Sequence, residues 1–484
     1  MAGRGEAGPG ASALGDHALV VGAGIAGLVA ARVLADHFTR VTVVDRDRLP
    51  SEPAPRGGTP QSRQIHILLA RGMDLLEQRF PGLRAELLAA GAVTIDFPGD
   101  VVWLGPGGWS ERFSPGLELV SCSRPLLEWA IRRRLAASPR VRFLQGQEVT
   151  GLTADLDTDE VTGVRLRARP GARPGADPTG TLAAELVIDA SGRGSRAPAW
   201  LLALGYDPPS ETVIEPLIGY ATRAYARPDG HQADWRMLYV QASPPESGRA
   251  GVLLPVEDDR WLVALTGYGG DYPPTDEAGF LEFARNLRSP IIHDVIQHAA
   301  PLSPISGFRQ ADSRWRHYER AGRRPERLIV LGDAACTFNP VYGQGMTMAA
   351  LAGATLEECL RTHRRDRPEG ELAGLARRAH RELARTTRTA WLLATGEDLH
   401  HPTTRGARPD LRTRLMHRYL NRLGRVMTSN RTVNAAFLDV ANLIRPPAAL
   451  FHPRVLVPTL RGPAHVLSAP PFTPSGDGTA RTTR

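Results

Sequence analysis

Apolar residues are distributed along this chain in three textures. In residues 16–204 and again in 326–370, short unbroken apolar runs alternate with stretches of helical period. Such runs, bounded by turn residues, suit strands buried on both faces of a parallel sheet. Between them, in 205–325, single apolar and polar residues alternate in IGYATRAYA, RMLYVQA, GVLLPV and RWLVALTGY, the period of antiparallel strands with one covered face. Beyond residue 370 the period is helical over 372–394, 411–424 and 431–443, and Pro446 and Pro447 stop the last stretch. The expected architecture is α/β: a discontinuous Rossmann-like domain (16–204 and 326–370), an antiparallel-sheet domain (205–325) and a C-terminal helical region (371–468). Residues 1–15 and 469–484 hold little apolar surface to offset their ordering entropy and are expected to be disordered tails. The Pro/Gly-rich stretch 170–180 is read as a loop tip.

The first texture begins with HALVVGAGIAGLVAARVLADHFTRVTVVDRD, a strand, a glycine turn, a helix and a second strand ending in Asp45. Each glycine has a physical task. Gly22 permits the tight turn, Gly24 lets backbone approach a pyrophosphate, and Gly27 lets the helix pack against the sheet. Free N–H groups at the helix start attract phosphate, and Asp45, with Arg46 beside it, falls where a carboxylate accepts hydrogen bonds from a ribose. This order of elements predicts dinucleotide binding without saying which dinucleotide.

A second motif, LIVLGDAACTFNPVYGQGMTMAALAGATLEECL, runs from a strand through Gly332-Asp333 and a Pro/Gly loop into a long helix. It resembles the second FAD motif of the flavoprotein monooxygenases with the p-hydroxybenzoate hydroxylase-like fold. The resemblance implies FAD as cofactor, with Asp333 on its ribityl chain. It also implies that Pro340, Gly343 and Gly345 leave room for the isoalloxazine, and that N–H groups near Gly345 and Met346 face its pyrimidine edge. Between the two motifs, ELVIDASGRGSR ends a strand at Asp189 and turns through Gly192 and Gly194. The spaced Asp189/Gly192 pair differs from the adjacent Asp-Gly of the aromatic hydroxylases. With RGGTPQSRQIHILLARGMDLLEQRFPGL, SRPLLEWAIRRRL, NPVYGQGM and SAPPFTP, it resembles the polyene epoxidases of bacterial polyether biosynthesis. By position within that resemblance, Arg124 and Arg63 are FAD contacts. Arg63 and His66, the latter expected on a helix, are also the weak candidates for catalysis, and Val149 is a candidate adenine contact.

Charge and composition remove several alternatives. The 59 cationic side chains outnumber the 51 acidic ones, but all 59 are arginine and they are scattered, so no nucleic-acid footprint is read from them. Without lysine, Schiff-base chemistry and a Walker lysine are excluded. Flavin-dependent halogenation, which relies on a lysine and a WxWxIP sequence, is disfavoured for the same reason. Cys122, Cys336 and Cys359 form no metal-ligand spacing and suit a reducing, cytoplasmic setting. The longest apolar run, Ala18 to Ala31, is too short to span a membrane.

The resemblance therefore implies a monooxygenase that places one atom of O2 on its substrate through a flavin hydroperoxide. An apolar polyene or polyketide of secondary metabolism is the expected substrate, free or carrier-bound. Electrons come from NAD(P)H, either docked directly or through a flavin reductase, since only one strand-linked GxGxxG is visible. Rival readings are phenolic hydroxylation, saturation of prenyl double bonds, and a basic non-enzymatic binder of nucleic acid or carrier protein.

Overall fold

A computed structural model describes residues 13–169, 179–309, 312–465, 467 and 469–471. Most of both expected tails and of the 170–180 loop lies outside the described residues. At the N-terminal end order begins earlier than expected: Leu14 is buried and its N–H donates to the His37 carbonyl, which ties the start of the first strand to the turn leading into the second.

The nucleotide domain is built on a five-stranded parallel sheet. Its order is Leu328–Val330, Leu186–Asp189, Gly15–Val21, Phe38–Asp45 and Val141–Gln145. The central residues Leu19, Val20, Val43, Val187 and Ile329 are fully buried, as unbroken apolar runs require. Register aligns Val21 with Asp189 and Asp189 with Val330, so three strands end on one level. That edge receives both glycine motifs, at the carboxyl ends of the strands where open α/β sheets bind ligands.

The Ile25–Leu34 helix packs against the long Gln344–Asp366 helix. A Cβ on Gly353 would lie 2.2 Å from Val29 Cγ1, so only glycine permits this approach. The same closeness recurs at the motifs: a Cβ on Gly332, whose φ is +63°, would meet Ala26 Cβ at 2.7 Å. The two glycine-rich motifs, about three hundred residues apart in sequence, thus touch in space.

The alternating segments form a seven-stranded sheet in the order Ser306–Phe308, Gly219–Ala226, Arg260–Gly267, Arg249–Val256, Met237–Val240, Val101–Gly105 and Gly108–Trp109. The last two strands depart from the expected boundaries. They lie within 16–204, yet Val101–Gly105 pairs in parallel with Met237–Val240 because its apolar residues, all buried, fit that sheet edge. The helices Leu375–Asp398, Leu411–Val426 and Arg431–Ala441 fall where the helical period places them, and Pro453–Arg461 adds a fourth. The first of these does not stand apart in the C-terminal region. It lies along the nucleotide domain, where the Val330 N–H donates to His380 Nε2 at 3.0 Å.

Candidate active site

One cavity of about 1710 Å³ runs from the carboxyl edge of the parallel sheet to the C-terminal helices. Its nucleotide end starts at the first glycine turn. Gly22 has φ +98°, and a Cβ there would lie 2.7 Å from the Ala190 carbonyl oxygen. A Cβ on Gly27 would lie 1.9 Å from the Gly22 carbonyl, so Gly27 shapes the turn from behind the cavity wall. Gly24 lines the cavity and begins the Ile25–Leu34 helix, whose first N–H groups are open to an anion.

Cations gather around that turn. Arg124, at the start of the Arg124–Ala136 helix behind the Ser123 cap, brings Nη2 within 3.9 Å of the Cβ position of Gly24. Its Nη1 meets His66 Nε2 at 3.3 Å and its Nε lies 3.6 Å from Glu128. His66 Nδ1 in turn donates to the Gln64 carbonyl at 2.9 Å, which leaves Nε2 to accept from the guanidinium. Burial, reinforced by the Arg124 charge, pushes the imidazole down to about 3. His66 is therefore a neutral prop for Arg124 rather than a proton-transfer group near pH 7. It also stands in the extended segment before the Ala70–Arg79 helix, not on a helix as expected.

Arg63 requires a larger correction. It ends a short 3-10 turn, is exposed and does not line the cavity. Arg56, seven residues earlier in the chain, takes the cavity position. It is buried, with Nη1 3.1 Å from Asp45 Oδ1 and 3.0 Å from Asp47 Oδ2, and Nε 2.8 Å from Glu128 Oε1. Burial opposes its charge, but Asp45 and Glu128 outweigh that and raise its pKa. Glu128 thus joins Arg56 to Arg124. The acids at 45 and 47 are the sequence signal for a buried cation, and the run between the Asp45 strand and His66 offers four arginines, at 46, 48, 56 and 63, to fill that role.

Asp45 accepts from the Ala23 N–H at 2.7 Å, so the second strand pins the glycine turn. Arg46 is exposed at the rim and Val149 is buried in the wall. Asp189 does not reach the cavity. Fully buried, it accepts from the Ser191 N–H and the Ser195 hydroxyl and fastens the turn that presents Gly192 and Arg193 to the cavity.

The second motif closes the site. Asp333 lines the cavity between Arg124 and Arg193; burial raises its pKa, and the two guanidiniums lower it. Gly332 serves the helix contact described above. Pro340, Gly343, Gly345 and Met346 all line the cavity, and Gly343, at φ +64°, caps the Gln344–Asp366 helix. A Cβ on Gly345 would lie 4.0 Å from Asp333 Oδ1, so carboxylate and helix start face the same space.

Behind this loop lies a polar group without a local motif. Asp398, fully buried, accepts from Asn339 Nδ2 and from the Tyr342 hydroxyl, each at 2.7 Å. Burial pushes its carboxyl up to about 7, against the bonds from Tyr342 and Asn339. The Tyr342 hydroxyl is 3.5 Å from that of Tyr268, and both rings line the cavity. Beyond them the walls become apolar, with Trp103, Met237, Tyr239, Leu420 and Phe437 between the seven-stranded sheet and the C-terminal helices. Among the described residues no group of His, Cys, Asp or Glu could hold a metal ion, and no helix is long and apolar enough to cross a membrane.

Residues 17–373 match the family model described as "FAD binding domain". Protein Rv3254 of Mycobacterium tuberculosis is 35% identical over 394 residues, which cover 80% of this chain and 81% of that protein. Kynurenine 3-monooxygenase of Salinispora tropica is 27% identical, covering 72% and 73%. The structure of p-nitrophenol 4-monooxygenase PnpA from Pseudomonas putida matches with TM-score 0.61 at 17% identity, over 88% of this chain and 98% of that one. A carboxyl-edge cleft with open glycines, clustered arginines and a carboxylate facing a helix start has the donors and acceptors that a flavin dinucleotide needs, and the chain belongs to the FAD-binding-domain family, as an enzyme with the FAD-dependent monooxygenase fold.

Proposed function

We propose that this enzyme epoxidises an alkene of an extended apolar substrate, a polyene or polyketide chain of secondary metabolism. The observation that carries the reading is the cavity itself. At about 1710 Å³ it exceeds the roughly 300–1,000 Å³ of a site for one small ligand, and the part beyond the second motif includes a run of aromatic and aliphatic side chains, Trp103, Met237, Tyr239, Leu420 and Phe437. It has room for a dinucleotide and for a long second molecule.

In this reading the glycine turn, Arg124 and Arg56 hold the pyrophosphate and adjacent ribose, with Arg46 and Val149 towards the adenine. Asp333 accepts from the ribityl hydroxyls, and the helix start at Gly343–Met346 faces the pyrimidine edge and stabilises negative charge there. Bound FAD supplies the oxygen-activating chemistry. The balance is one O2, two protons and two electrons, the electrons from NAD(P)H delivered directly or by a reductase, with one oxygen atom to the alkene and the other to water. An alkene needs no deprotonation, so the protein's task is to orient it and exclude water, which Trp103, Tyr239 and Phe437 do.

A second reading, hydroxylation of a phenol, is favoured by Tyr342 and Asp398. A phenol must lose a proton, and a cavity hydroxyl bonded to a carboxyl titrating near neutrality is a path for it. Turnover under oxygen-18 with polyenes and phenols separates the two. Labelled epoxide is the expected product; labelled catechol or quinol would replace the first reading with the second, and unlabelled reduced product would overturn both.

A further inference from the structure

The Leu411–Val426 helix leaves most of its surface outside the protein. Only Leu423 and Val426 are buried along it, whereas Leu411 is 71% and Leu415 53% exposed. It carries five arginines, at 412, 414, 418, 422 and 425, and no carboxylate. Among the described residues none of the five lies within ion-pair distance of an acid, and Asp410 at the helix cap is the carboxylate that feels Arg412 and Arg414. Among the described residues many other arginines form ion pairs, so the helix is a concentration of uncompensated charge.

Leu411, Leu415, Arg418 and Arg422 follow the i, i+4, i+7, i+11 spacing of one helical face. At the far end of that face Tyr419 stacks on Phe451 with ring centroids 5.0 Å apart, and Arg422 donates to the Thr459 and Leu460 carbonyls. Phe451 and Leu460, both exposed, therefore flank the same stripe. Met416 and Phe451 are exposed and also line the cavity, so its mouth opens beside this stripe.

We propose that this face docks on an anionic lipid bilayer and that the cavity mouth at Met416 and Phe451 takes apolar substrate from it. Leucines interleaved with arginines on an amphipathic helix, with Phe451 beside them on a neighbouring turn, suit the boundary between acyl chains and anionic headgroups. An acidic protein would match the arginines, but it would have to shape itself around leucines that stand out on two helices; a fluid surface accepts them without a preformed groove. Docking stands on the exposed face alone, while the delivery of substrate rests on the apolar-substrate reading above.

The test is flotation of the full-length, FAD-loaded protein with vesicles of phosphatidylcholine alone and with about one third phosphatidylglycerol. Retention on the anionic vesicles that weakens with salt is expected. Arg414→Gln with Arg418→Gln should weaken it by about fivefold per arginine, and Leu411→Ser with Leu415→Ser by roughly tenfold. Arg142→Gln with Arg381→Gln, which removes equal charge outside the patch, should change it least. These side chains are exposed, so unchanged melting temperatures verify folding. Failure to bind anionic vesicles, equal loss in the control pair, or capture by an acidic carrier protein with vesicles ignored would each overturn the proposal. Vesicle binding needs no turnover, so a substrate of another class would sink the epoxidase reading and leave docking intact.

Discussion

Single side chains in this site divide by what they can reach. Asp333 and Arg124 face the cavity, and Arg63 does not, although all three carry charges suited to a nucleotide. Asp333→Ala and Arg124→Ala should each weaken FAD binding roughly tenfold to a hundredfold, the worth of a charge-assisted hydrogen bond, whereas Arg63→Ala should leave it within about twofold. Fluorescence titration of the apoprotein with FAD reads all three. Asp398 has a different signature. Its folded pKa is raised to about 7, so the ionised form is disfavoured in the fold, and its contribution to stability declines as pH rises from the unfolded carboxylate range to about 7. Asp398→Asn removes that dependence. Thermal melts should show the variant gaining on the wild type across that window, by an amount on the order of a few kcal/mol at most, with no further change above it. A variant that lost ground to the wild type as pH rose through that window would contradict the raised pKa.

At the scale of elements, backbone proximity matters more than side-chain chemistry. The Gly27 Cβ position is 1.9 Å from a carbonyl of the very turn that Asp45 pins through the Ala23 N–H, and a backbone oxygen cannot move aside as a flexible side chain can. Gly27→Ala should therefore lower the melting temperature and also the ratio of flavin to protein absorbance after purification. If it purified with full flavin and an unchanged melt, the helix would have room that the packing denies. Spacing placed the glycines, the Asp45 strand and the C-terminal helices because each rests on a local period or a short turn. The same logic misplaced His66, since the apolar run Ile65, Ile67, Leu68 and Leu69 directly ahead of the Ala70–Arg79 helix reads much like its first turn.

Across the whole molecule, the cavity joins three parts that are distant in sequence: the sheet edge, the seven-stranded sheet and the C-terminal helices. Leu420→Trp, which adds bulk in the apolar part away from Asp333, should raise KM for long substrates several-fold while leaving FAD affinity unchanged, measured by competition between chain lengths. FAD bound at a hundred times its Kd should stabilise the protein by about 2.7 kcal/mol, so its removal should lower the melting temperature. No shift on adding FAD would separate the cavity from the cofactor.

What the chain alone determined is whatever depends on neighbours in sequence: the βαβ order around Gly22, Gly24 and Gly27, the strand-loop-helix at Asp333, and the alternating strands between them. Periodicity and turn chemistry act over a few residues, so they can be read from order. Tertiary structure decided which charges face the cavity, choosing Arg56 over Arg63, turning Asp189 inward to its own loop, and bringing Asp398 behind Tyr342 from a helix with no motif. Those outcomes depend on which strands and helices share a wall, and the cost of burying a charge without a partner allows only the arrangement in which each buried charge meets one.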